Sequence, residues 1–75
     1  MTLDEFVTAF AEEFDETPLD QFTPSTEFKG LKEWGSLTAL SIIAMVDEQM
    51  EKRITGSDIR SSNTIEDLYN LAMAK

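Results

Sequence analysis

Pro18 and Pro24 are the only prolines in the chain, and both fall between Glu16 and Glu33. Proline interrupts a helix because it lacks an amide hydrogen and its ring clashes with the preceding turn, so no continuous helix can cross this stretch. On either side the apolar residues recur at helical spacing, and no segment alternates like a half-buried strand. The chain is therefore confined to an all-α fold: helices separated by one long loop.

The first segment opens Thr2-Leu3-Asp4-Glu5, a capping box in which Thr2 accepts from the third helical amide and Glu5 reaches back to the cap. Leu3, Phe6, Val7, Phe10 and Phe14 then predict a helix from Leu3 to Phe14. Glu12, Glu13, Asp15 and Glu16 gather near its C-terminal end, where they oppose the helix dipole. Within the loop, Phe22, Phe28 and Leu31 are the apolar anchors expected to hold it against the bundle. After Trp34-Gly35, the run SLTALSIIAMVDEQM predicts a second helix with Ser36 as N-cap, ending between Met50 and Arg53. Lys52 and Arg53 suit the dipole at that end. The core face reads as Leu37, Leu40, Ile43, Ala44 and Met50, widened by Ile42, Met45 and Val46. A short helical turn follows, with Thr55 as cap and Ile54 and Ile59 turned inward. The last helix begins at Asn63 or Thr64, each with an acid three residues on (Glu66 or Asp67), and carries Ile65, Leu68, Tyr69, Leu71 and Ala72. Residues 1–75 are expected to form one domain, a small bundle of three main helices and one short one.

Composition narrows what such a bundle can do. Fifteen acids against six bases give a net charge of −9, with no His and no Cys. Repulsion from phosphate backbones and anionic lipid argues against nucleic-acid or membrane binding. Without imidazole or thiol the chain has no usual zinc ligands, no thiol nucleophile, no Ser-His-Asp triad and no disulfide. A hydrophobic content of 41% belongs to a folded domain rather than an acidic tail, and a chain of 75 residues can bury roughly 60% of its unfolded surface. No stretch approaches the ~20 apolar residues that span a bilayer, and MTLDEF lacks the features of a signal peptide, so a soluble cytoplasmic protein is expected. The charge is uneven: residues 1–33 hold nine acids and two lysines, whereas residues 34–75 hold six acids and four bases.

The carboxylates do not spell out a metal or catalytic site. The D-x-[DN]-x-[DN]-G spacing of a Ca²⁺ loop is absent, and Glu12-Glu13 and Asp15-Glu16 read as a solvated face. A bundle of this length offers little room for a cleft flanked by two carboxylates, so catalysis by the chain itself is not expected. Ser36 has the distinctive position. At the head of a helix, a phosphoryl group esterified to its oxygen would meet unpaired amides and the positive end of the dipole. Gly35 keeps the approach to the hydroxyl uncrowded.

An acidic first helix, a long loop, Leu31-x-x-Trp34-Gly35-Ser36-Leu37 opening an apolar helix, then Ile54-Thr55 and a final helix at Thr64-Ile65 together resemble the acyl carrier protein family over essentially the whole chain. The family motif is D-S-L; Ser36 and Leu37 match it, and Gly35 replaces the acid. The resemblance implies that Ser36 carries a covalent 4′-phosphopantetheine arm, installed by a phosphopantetheinyl transferase from coenzyme A with Mg²⁺. Acyl groups would be held as thioesters on the arm's thiol, for fatty-acid or related polyketide-type synthesis, by a non-catalytic monomeric carrier. The missing Cys is compatible with this, because the cofactor brings the sulfur.

It also implies acyl-loading, acyl-elongating or acyl-transferring partners that dock basic patches on the second helix. Thr38 and Ser41, often acidic in the family, are uncharged here, leaving Asp47, Glu48 and Glu51. Docking is thus expected to lean more on Leu37, Thr38 and Met45, with a dedicated partner set. Trp34 either pins the loop to the bundle, or shields the arm or contacts a partner. Met45 and Met50 either pack the core or line a cavity for an acyl chain. Two other functions stay open: an aminoacyl or peptidyl carrier, which tends to be less acidic, and a helical adaptor in which Ser36 is only a cap.

Overall fold

Hydrogen bonds within three residues of each start set where three of the helices begin. In the computed structural model, which describes residues 1–75, capping boxes stand at Thr2/Glu5, Thr55/Asp58 and Thr64/Asp67. They open α1 (Leu3–Ala11), α3 (Gly56–Ser61) and α4 (Ile65–Met73). The longest helix, α2 (Ser36–Met50), has no side-chain cap. Its N-cap is Gly35, and Ser36 is the first helical residue rather than the cap expected of it. There are no strands, and the fold is a small all-α bundle. α1 packs against α2 and α4, and α3 packs against α2 and α4.

α1 ends at Ala11, one turn short of the expected Phe14. The amides of Glu13 and Phe14 bond back only three residues, to Phe10 and Ala11, which tightens the last turn. Phe14 is buried nonetheless. The loop from there to α2 carries two 3₁₀ turns, Leu19–Gln21 and Phe28–Gly30, and is held by the expected anchors: Phe22 and Phe28 are buried and Leu31 packs on the core. Loop carbonyls also satisfy the start of α4, since Pro24 and Thr26 accept the amides of Glu66 and Ile65 at 2.9 and 3.2 Å. These are among the first amides of α4, which have no partner inside their own helix.

All seven aromatic residues form one connected cluster. Phe10 is its centre, with ring centroids 5.4 to 6.4 Å from those of Phe6, Phe14, Phe22, Phe28 and Trp34, and Tyr69 joins through Phe6. Two or three side chains of this size contribute several kcal/mol by burial alone, so the cluster fixes the loop to α1 without regular secondary structure.

The face that α2 buries differs from the sequence expectation. Ile42, Met45 and Val46 are in the core with Ile43 and Met50 packed beside them, whereas Leu37 and Leu40 are 81% and 61% exposed and Ala44 is exposed. Apolar residues surround this helix, so its periodicity does not select one face. The register is chosen by contact with α1 and α3. At the other end Glu51 adopts the left-handed conformation, φ 55° and ψ 36°, and stops the helix there, before Lys52 and Arg53. No helix is long and apolar enough to cross a membrane.

Candidate functional site

Ser36 is exposed at the first position of α2. The first backbone bond of the helix runs from the Ala39 amide to the Gly35 carbonyl, 2.9 Å, and the amides of Ser36, Leu37 and Thr38 have no acceptor in the chain. Gly35 is fully extended, φ −175° and ψ −174°, and a methyl group placed on it would meet no atom within 4 Å. Neither conformation nor space demands glycine there, and the approach to the Ser36 hydroxyl is open.

Two devices position this segment. Trp34 packs its indole edge-on against Phe28, centroids 4.9 Å apart, and parallel to Phe10. It pins the loop to the core. Glu33 supplies the second device, which the sequence did not signal. Its carboxylate accepts the Asp15 amide at 3.1 Å, the Glu16 amide at 2.9 Å and the Thr17 hydroxyl. Its carbonyl accepts the Thr38 hydroxyl at 2.7 Å. One residue thereby ties the end of α1 to the first turn of α2. The Thr17 hydroxyl is the largest cause holding the Glu33 carboxyl below its ordinary pKa, with the Glu16 and Asp15 amides contributing.

A groove of about 320 Å³ lies beside Ser36. Trp34, Gly35 and Ala39 line it from the start of α2, and Gly56, Ile59 and Arg60 from α3, with Lys29 from the second 3₁₀ turn. Lys29 and Arg60 carried no signal in the sequence, because 31 residues separate them.

Of the other expected site residues, Leu37, Asp47, Glu48 and Glu51 are exposed. Helical geometry sets them along one outward stripe with Leu40 and Ala44. Thr38 is half-buried and engaged by Glu33. Met45 is 3% exposed and belongs to the core, so it is not available to a partner on this surface. Leu40, read as core, takes its place in the exposed stripe. Met50 packs against the core from its edge. Comparison of the chain with protein-family models, with curated proteins and with solved structures finds no match.

Proposed function

We propose that this chain is a carrier protein of the acyl carrier type, folded as that family's helical bundle, with 4′-phosphopantetheine attached through Ser36. The observation that carries this reading is the setting of Ser36: an exposed hydroxyl on the first turn of α2, preceded by an uncrowded Gly35, with three unpaired amides and an open groove beside it. These features fit a phosphodiester, which needs an accessible nucleophile and gains from amide hydrogens and the helix dipole. In the loading reaction the Ser36 Oγ–P bond forms as the pyrophosphate bond of coenzyme A breaks. The hydroxyl proton passes to a base of the transferase or to water, and adenosine 3′,5′-bisphosphate departs. The attached group supplies the thiol on which acyl chains are carried. The chain's own residues present, orient and anchor the attachment point through Trp34 and Glu33. The net charge of −9 favours acyl over aminoacyl or peptidyl cargo.

Partner enzymes would approach the outward stripe of α2. Its upper part is apolar (Leu37, Leu40) and its lower part acidic (Asp47, Glu48, Glu51), a pattern suited to a basic-rimmed surface with a small apolar centre. The exposed Leu37 and Leu40 favour, as a second reading, an adaptor that binds a partner without a prosthetic group.

Co-expression with a broad-specificity phosphopantetheinyl transferase, followed by intact mass measurement, separates the two. The carrier reading expects one added phosphopantetheine, absent from Ser36→Ala. An unchanged mass, under conditions that modify a control carrier, overturns it and leaves the adaptor.

A further inference from the structure

The groove beside Ser36 has a charge opposite to that of the molecule. The chain holds fifteen acids, and the two other surface grooves contain Glu16 and Glu33 with Lys32 in one and Asp4, Glu5 and Glu12 in the other. No acid lines the groove at Ser36, yet two of the six cations, Lys29 and Arg60, do.

Tertiary contact brings these two together. The Lys29 ammonium donates to the Arg60 carbonyl at 2.9 Å, tying the second 3₁₀ turn to α3. The Arg60 guanidinium lies over Gly56, where an added Cβ would come within 3.4 Å of Nη1. Neither side chain is paired with a carboxylate, the one ion pair in the molecule being Lys75–Asp58. Five of the six cations lack a carboxylate partner, and these two are the ones that share a groove with the Ser36 hydroxyl, where an anion that arrives later would meet no competing carboxylate. Between them, buried Ile59 and half-buried Trp34 and Ala39 give the groove an apolar floor.

We propose that Lys29 and Arg60 hold the phosphodiester formed at Ser36. This inference rests on the carrier reading and specifies which residues of this chain receive the group. The motif acid is replaced by Gly35, so no carboxylate repels the phosphate from its own side. Both cations are exposed, so their hold is sensitive to salt over a screening length of ~8 Å at physiological ionic strength.

The test begins with enzymatic loading confirmed by intact mass. Amide chemical shifts of the apo and loaded proteins are then compared at low and high salt, together with the ³¹P resonance of the loaded protein. The comparison is repeated in Lys29→Gln, Arg60→Gln and the double variant, with Lys52→Gln as a remote control and thermal midpoints to confirm folding. Loading is expected to shift the amides of Lys29, Gly56, Ile59 and Arg60. Those shifts and the salt dependence of the ³¹P signal are expected to be lost in the double variant and kept in Lys52→Gln. A Lys29→Gln protein that does not fold leaves Arg60→Gln to report the same loss. Loaded protein whose groove amides do not shift, or shift equally in the double variant, overturns this inference and leaves the carrier reading standing. Failure to load overturns both.

Discussion

The indole of Trp34 lies parallel to the ring of Phe10, 4° between planes and 6.4 Å between centroids. Phe10 is fully buried on α1, and Trp34 is two residues before Ser36. Core packing therefore extends directly to the segment that presents the hydroxyl. Trp34→Ala is expected to cost about 2 kcal/mol, less than the loss of a wholly buried aromatic because this side chain is only half-buried. It should also broaden the amide resonances of Gly35 and Ser36, while Trp34→Phe keeps both stability and sharp signals. Equal spectra for Trp34→Ala and the parent chain would remove its anchoring role.

The register of α2 is tested by stability alone. Ile42→Ala is expected to cost about 2–5 kcal/mol, as for a core residue whose cavity refills only in part. Leu37→Ser and Leu40→Ser should stay within about 0.5 kcal/mol, as at ordinary surface positions. Denaturant unfolding of the three variants decides the matter, and a large loss in Leu40→Ser would place the buried face where sequence periodicity puts it.

Gly35→Asp should stabilise the fold by roughly 0.5 kcal/mol. The extended backbone and open space accept the side chain, and its carboxylate can cap an amide of the first turn and sits favourably at the positive end of the dipole. A thermal melt reads the gain. A lower midpoint would mean that something other than space and helix capping keeps glycine at this position.

Neutralising Asp47, Glu48 and Glu51 together, to Asn, Gln and Gln, should slow transfer from partner enzymes with little change in unfolding free energy. Glu51 adds a second readout, because its left-handed backbone disfavours any residue with a Cβ. Glu51→Gly is expected to stabilise the protein by about 1 kcal/mol. Transfer rates unaffected by the triple change would show that the acidic end of the stripe is not used for docking.

Acid should weaken the fold through four carboxylates held below their ordinary pKa. The backbone amide of Thr2 is the main cause at Glu5, the Thr17 hydroxyl at Glu33, Lys75 at Asp58 and the backbone amide of Thr64 at Asp67. A carboxylate with a lowered folded pKa contributes stability that is complete above its unfolded value. That contribution is lost as pH falls through the folded value. The ordinary values are 4.5 for the two Glu and 3.8 for the two Asp, so the loss sets in below about pH 5. Protonation also relieves the repulsion of a −9 chain, which opposes the trend. Glu33→Gln isolates the local effect: it should be less stable than the parent at pH 7 and approach it at pH 3. A constant difference across that range would show that the carboxylate's charge does not contribute.

The sequence by itself determined the elements. Thr2-Leu3-Asp4-Glu5, the Thr55 cap and Thr64 with Asp67 were legible because each closes hydrogen bonds within three residues, and the two prolines marked the loop for an equally local reason. The place of Ser36 at the head of α2 was legible because it depends only on where that helix begins. Tertiary structure alone decided which side of α2 is buried, since apolar residues surround that helix and only its neighbours choose among them. It exchanged Met45 for Leu40 on the exposed stripe. It also placed Glu33 under Asp15 and Glu16, and Lys29 beside Arg60, through contacts spanning 18, 17 and 31 residues. Contacts of that separation follow from how helices and loop pack together, which no local pattern of residues encodes.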